Sequence, residues 1–181
     1  MTKDFVFITG NSYKAEYLSK WLGRPVTHRK IDLPEIQSLD PREVAEDKAR
    51  RAYHLVEQPV LIDDVSLAIT AMGRLPGTLI KWFLQEVGTA GIARMAAALD
   101  DQTATASMMY VLFDGTSFRF FEASVPGRIA PKPRGESHGW NSIFIPQGHA
   151  KTFAELDDET FHAISHRGLA VRQLCDYLAS A

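Results

Sequence analysis

The sequence predicts an α/β protein built on a mixed sheet, and three patterns carry that prediction. Phe5 to Ile8 is an apolar run that stops at Thr9-Gly10-Asn11 and gives way to apolar residues at helical spacing (Tyr13, Tyr17, Leu18, Trp21, Leu22), which marks a strand-to-helix junction. Pro59 to Ile62 is a second compact apolar strand. Thr103 to Phe113 and Ser117 to Val125 alternate or run apolar on either side of Asp114-Gly115, the pattern of a hairpin that supplies the long antiparallel part of the sheet.

The first junction is the natural anion site of such a fold. A helix that starts at Ser12 turns its free backbone N–H groups and the positive end of its dipole toward Thr9, Gly10 and Asn11, and Lys14 adds a full charge one turn in. The same spacing also describes a tight connection with an asparagine cap. It is not a P-loop, because the glycine-rich run and the paired Gly-Lys are missing.

A short strand is expected from Val26 to Ile31, leading through Asp32 into LPEIQ, where Glu35 is the acid of a proline-containing turn. Asp40-Pro41 reads as an N-cap followed by proline at the first helical position, and Val44, Ala45, Ala49, Ala52, Tyr53 and Val56 give the apolar face of that helix. Lys48 lies within it and by itself reads as a solvated lysine. The strand from Pro59 is expected to end in Asp63-Asp64, a pair that is either a solvated acidic turn or a carboxylate site for a hard divalent cation.

Beyond it, Ser66 to Met72 continue the sheet, and Gly73 to Gly77 turn around Pro76. Leu79 to Val87 form an apolar helical turn carrying Lys81 beside Trp82, and Thr89 caps a helix through Leu99. Pro126 to His149 is rich in glycine, proline and charge and reads as a functional loop, whose Trp140, Phe144 and His138 suit either stacking on a flat ring or filling a core. The last helix is expected to start at Ser165, with His166 and Arg167 in its first turn. Positive groups there oppose the helix dipole unless an anion or a carbonyl faces them.

The chain has 181 residues, a net charge of -2 and a pI near 6.3. That length suits one domain over residues 1–181, burying about 70% of the surface of its unfolded form. The charge balance argues against a general nucleic-acid or membrane-surface partner, which needs a concentrated positive face. Cys175 is the single cysteine, so no disulfide framework or cysteine-based zinc site is expected, and the absence of a leader or spanning segment points to a cytoplasmic protein.

Taken together, TGNSYK, LPEIQ, LIDDVSL, LPGTLIKWFL, GWNSIFIP, KTFAEL and AISHRGLAVRQL resemble the Ham1-like inosine triphosphate pyrophosphatase family, in order from Phe5 to about Leu178. The resemblance implies a mixed, strongly twisted long sheet flanked by helices, two lobes with a central cleft, and a homodimer. It implies Mg²⁺-dependent hydrolysis of non-standard purine nucleoside triphosphates (ITP, dITP, XTP) to the monophosphate and pyrophosphate.

By the same resemblance the phosphate loop falls on Thr9, Gly10, Asn11 and Lys14, and further triphosphate contacts on Lys48 and Lys81. The metal ligands fall on Glu35 and Asp64, with Asp64 also the proposed proton acceptor, and Lys14 and Asp64 are the expected catalytic pair. The base-reading residues fall on His138, Gly139, Trp140, Asn141, His166 and Arg167. Three positions depart from the family pattern. Val65 replaces a serine or threonine after the acidic pair, Asn141 replaces the aspartate of the base loop, and Phe161 replaces a lysine four residues before Ser165. Two of the three lie at the base end, where a site built on hydrogen bonds discriminates between rings that differ by one group.

Overall fold

Strand β1 (Val6–Ile8) is buried at every position and pairs in parallel with β2 (His28–Arg29) on one side and β3 (Val60–Ile69) on the other. The computed structural model describes residues 4–136 and 139–180. Among these, the sheet runs in the order β2-β1-β3-β5-β6-β7, with β4 (Pro76–Gly77) pairing antiparallel to β3. The expected hairpin is present as β5 (Thr103–Phe113) and β6 (Phe118–Ile129), closed at Asp114, whose carboxylate accepts from the Thr116 and Ser117 amides. β7 (Phe144–Pro146) adds antiparallel to the end of β6. The sheet is therefore mixed, and helices flank it.

By contacts the chain divides into two compact units, and β3, β5 and β6 contribute residues to both. The first comprises residues 1–64, 109–122 and 170–181. Its core packs Val6, Ile8, Val60 and Ile62 of the sheet against Ala45, Ala49, Ala52 and Val56 of α2 (Pro41–Val56). The alanines recur along one face, and their small side chains let the helix lie close to the sheet. Asp40 caps α2 through the Arg42 amide, with Pro41 at the first position, as the spacing predicts. Helix α1 (Ser12–Leu22) ends at Gly23 in the left-handed conformation that glycine takes without strain.

The second unit comprises residues 65–108 and 123–169. It holds α3 (Ile80–Ala97), which breaks at Gly88, where φ 64° and ψ 178° depart from helical values. The two shorter helices expected before and after Thr89 are thus joined end to end at a glycine kink. Helix α4 (Asp158–Ile164), capped by Asp157 through the Thr160 amide, was not legible in the sequence, because seven residues hold too few turns to show a period. Ser165 separates it from α5 (His166–Ser180) and accepts from the Gly168 amide, which confirms the expected N-cap. Among the described residues, no helix is long and apolar enough to cross a membrane.

Two expectations need correcting. The strand from Pro59 does not end at Asp63-Asp64 but runs on to Ile69, because Leu67 and Ile69 continue its buried face. The segment 126–149 is not one long loop: β6 extends to Ile129 and β7 returns beside it, with Gly127 leaving room for the Ile145 carbonyl and the Phe144 ring. Its glycines and prolines concealed strand pairing that only a neighbour could reveal.

Candidate active site

The register of three short strands gathers the charged residues of the first unit. β1 ends at Ile8, opposite Ile62 of β3 and Arg29 of β2. The next residues of each strand are therefore neighbours past the end of β1: Thr9-Gly10-Asn11, then Asp63-Asp64, then Lys30. Here the chain leaves the sheet to enter α1. The Thr9 hydroxyl accepts from the Asn11 amide at 3.2 Å, and the Asn11 carboxamide oxygen caps the helix by accepting from the Tyr13 amide at 3.0 Å. The asparagine cap is thus made, and Lys14 stands on the first turn behind it.

The acids and lysines are paired one to one and more. Lys14 Nζ lies 2.6 Å from Asp63 Oδ2. Lys48 Nζ lies 3.2 Å from Glu35 Oε1 and 3.2 Å from Asp64 Oδ1, so one ammonium bridges two carboxylates that are far apart in sequence. Lys48, expected from its neighbours to be solvated, is instead largely enclosed, its side chain only 13% exposed. A buried acid beside a half-buried one in mid-strand is tolerable because each has a cation within reach.

Burial sets the electrostatics of this cluster. Loss of solvent pushes the Asp64 carboxyl up to about 6, against the opposing pull of the Lys48 ammonium. Burial works against the Lys48 ammonium too, but Asp64, Glu35 and Asp63 outweigh it, so its pKa is raised. The second Asp64 oxygen, Oδ2, is buried and among the described residues has no hydrogen-bond partner. An unsatisfied buried carboxylate oxygen is costly unless something arrives to use it.

The donor set suits a hard divalent cation. Among the described residues no three His, Cys, Asp or Glu side chains group as ligands. Mg²⁺ does not require three, since it takes one or two carboxylates and completes its shell with water and phosphate oxygens. Glu35 and Asp64 converge on one point, which the Lys48 ammonium takes up, and Asp64 keeps an oxygen in reserve.

The second unit assembles a different set. His166 is 2% exposed and stacks on Trp140 with ring centroids 5.0 Å apart and planes at 23°. Phe153 covers it at 5.5 Å, and Phe161 meets Phe153 edge-on. Burial, helped by the neighbouring Arg167 charge, lowers the His166 pKa to about 3, so the imidazole is neutral, and among the described residues its Nδ1 has no hydrogen-bond partner. Trp140 is itself 4% exposed, with its face on His166 and its edge on Phe144, so it backs the histidine and offers no open stacking face. Gly139 has φ 68°, and Asn141 begins a short 3₁₀ turn beside it. His138 lies outside the described residues. Lys81 stands exposed on the first turn of α3 with its ammonium 5.6 Å from the Trp82 ring.

A family model described as the Ham1 family matches residues 5–177. The chain belongs to the Ham1 family. It is 40% identical to an inosine triphosphate pyrophosphatase of Schizosaccharomyces pombe over 98% of this chain and 96% of that protein. It is 39% identical to the enzyme of the same name from Yarrowia lipolytica, over 96% and 95%. Its fold is similar to a HAM1 protein from Coxiella burnetii (TM-score 0.82, 28% identity, 98% and 99% covered). It is also similar to a nucleoside-triphosphatase / dITP/XTP pyrophosphatase from Mycobacterium abscessus (TM-score 0.74, 26% identity, 94% and 98% covered).

Within this Ham1 fold the departures from the family pattern acquire surroundings. Phe161 is buried against Phe153, filling with ring what a lysine would leave to solvent. Gly168, next to Arg167, is required by packing, because a Cβ there would collide with the His162 carbonyl of α4. The sequence held a signal for that contact in the run Ser165-His166-Arg167-Gly168, a glycine in the first turn of a helix. Lys30, which no motif marks in the sequence, follows Arg29 past the end of β2.

Proposed function

We propose that this chain is a nucleoside triphosphate pyrophosphatase, one domain over residues 1–181, that hydrolyses non-standard purine nucleoside triphosphates such as ITP, dITP and XTP to the monophosphate and pyrophosphate with Mg²⁺. The observation that carries the reading is the cluster of the first unit: Glu35 and Asp64 bridged by Lys48, with Asp63 on Lys14, at the head of a helix. It holds the carboxylates a divalent cation needs and the lysines a triphosphate needs, and family membership says which chemistry uses both.

In the proposed reaction, a water oxygen bonds to the α-phosphorus while the bond from that phosphorus to the bridging oxygen breaks, and pyrophosphate leaves with the electron pair. Lys14, Lys48 and Lys81 hold phosphate oxygens, and the Thr9-Gly10-Asn11 turn positions the chain end against them. Glu35 and Asp64 would hold the cation, which supplies charge neutralisation at the phosphates and the leaving group. Asp64, its carboxyl raised to about 6 by burial, has a second oxygen unengaged and accepts the proton of the attacking water.

At the base end, Gly139, Asn141, His166 and Arg167 are the proposed readers, with Trp140 behind them and His138 in the same loop. A neutral His166 with an unengaged ring nitrogen presents one donor or one acceptor to a purine carbonyl edge, and Arg167 presents donors only. As a homodimer in the cytoplasm, the protein would bury the apolar groups that α3 exposes, Trp82 (53%), Val87 and Met95.

The test is a panel of nucleoside triphosphates with Mg²⁺, scored for pyrophosphate against orthophosphate. The reading expects pyrophosphate, with ITP, dITP or XTP far ahead of ATP and GTP. Orthophosphate as the first product overturns the bond assignment. Asn141 and Phe161 favour a second reading, a relative retuned to another modified base, which a flat response to ITP and a strong one elsewhere would establish.

A further inference from the structure

We infer that Lys30 is a further phosphate-binding residue of this site, seated over the anion turn by the absence of a side chain at Gly10. The inference rests on the phosphate reading of the preceding subsection and adds a residue that the family motifs leave out. Gly10 poses a question of its own. It is absent from the glycines with positive φ, so its backbone does not demand glycine. The space above it is taken instead: a Cβ built there would stand 3.1 Å from Lys30 Cγ, 3.3 Å from Cδ and 3.4 Å from Cε, so the lysine stem would have to give by a few tenths of an ångström.

Three successive methylenes at that range mean that the lysine stem runs across Gly10 along its length. The terminal ammonium is one bond beyond Cε, and so within about 5 Å of that point by ordinary bond lengths. The strands hold it there. Arg29 is opposite Ile8, and its carbonyl accepts from the Thr9 amide at 3.1 Å, so Lys30 follows as the neighbour of the turn.

What distinguishes Lys30 from the other lysines of the unit is its partnership. Lys14 is tied to Asp63, and Lys48 to Glu35 and Asp64. A phosphate that recruits either must compete with a carboxylate. Among the described residues, Lys30 has no hydrogen bond or ion pair, and its stem passes over Gly10. An exposed, uncommitted lysine beside this turn contributes its charge without first breaking an ion pair, which offsets the rotamer freedom it loses on binding. Lys30 therefore makes the contact available to the incoming phosphates while the buried lysines are still engaged.

The experiment compares wild type, Lys30→Met, Lys30→Arg, Gly10→Ala and the double variant Gly10→Ala/Lys30→Met. Binding of inorganic tripolyphosphate is measured by calorimetry over a range of salt, and KM and kcat for ITP with Mg²⁺ are measured alongside. Lys30→Met is expected to weaken tripolyphosphate and raise KM about tenfold, the loss of one charge-assisted hydrogen bond, with kcat little changed. It should also flatten the salt dependence, and Lys30→Arg should restore most of both. Gly10→Ala should cost less phosphate affinity in the Lys30→Met background than alone, because the ammonium whose placement it disturbs is already gone.

Lys30 is exposed, so Lys30→Met should melt with wild type, which separates lost binding from lost folding. Tripolyphosphate affinity and KM within twofold of wild type in Lys30→Met overturn the inference. If wild type hydrolyses ITP and Lys30→Met changes nothing, the proposed function stands and the Lys30 role fails. If no nucleotide is cleaved yet tripolyphosphate binding falls in Lys30→Met, the enzyme reading fails and the phosphate role stands.

Discussion

The cluster around Asp64 and the packing around His166 bury titratable groups in opposite ways. In the first, carboxylates and ammonium groups are brought inside together, each charge answered by another, and burial still drives the Asp64 carboxyl up to about 6. In the second, Trp140 and Phe153 pack on the histidine, and loss of solvent leaves the ring neutral far below its ordinary range. The first arrangement is suited to exchanging partners, because a divalent cation and phosphates can replace the lysine and carboxylate contacts in kind. The second is suited to fixed recognition, because a neutral ring packed among aromatics keeps the same charge across physiological pH.

The comparison breaks most visibly at Asp64. Asp64→Ala removes the proposed cation ligand and the proposed proton acceptor together, and ITP hydrolysis should fall by about 10²–10⁴-fold. Pyrophosphate release checks this, and a variant with full activity would take the reaction away from this cluster. His166 and Trp140 should be indifferent to the change.

Gly168→Ala strikes only the other region. Its Cβ would meet the His162 carbonyl, so α4 and α5 must shift, costing about 1–3 kcal/mol of stability in thermal melts. Because Arg167 and His166 precede it, KM for ITP should rise while tripolyphosphate affinity is unchanged. Loss of tripolyphosphate binding would show that the two regions are not independent.

Lys48→Met sharpens the account of exchange. With the bridging ammonium gone, Glu35 and Asp64 lose their competitor, so calorimetry without nucleotide should show Mg²⁺ or Mn²⁺ binding about tenfold tighter than in wild type, while tripolyphosphate binds more weakly. Weaker cation binding in the variant would mean that Lys48 supports the carboxylates instead of standing in for the cation.

The smallest effect lies in stability against pH, where the two regions have opposite signs. Folded Asp64 keeps its proton to about pH 6, whereas unfolded aspartate releases it near 4, so its stabilising share is full below about pH 4 and is lost as pH rises through 6. Folded His166 stays neutral to about pH 3, whereas unfolded histidine takes a proton near 6.5, so its share is full above about 6.5 and is lost as pH falls toward 3. Melting temperatures should show Asp64→Asn flattening the first slope and His166→Gln the second. Slopes parallel to wild type in both variants would remove the electrostatic contrast.

The sequence by itself determined the strand-to-helix turn at Thr9-Gly10-Asn11, the capped helix after Asp40, the hairpin about Asp114-Gly115 and the N-cap at Ser165. Each rests on local chemistry: a side chain that caps the next turn, a proline that fits only the first helical position, or a period that repeats along one element. It did not show that Asp63-Asp64 sits in mid-strand, that Lys48 is enclosed between Glu35 and Asp64, that Trp140 lies behind His166, or that Lys30 crosses Gly10. These four depend on residues far apart in the chain, brought together by strand register and helix placement. A lone lysine has the same local preferences whether it faces water or two carboxylates, so only the tertiary structure could decide which cations of this protein are already committed.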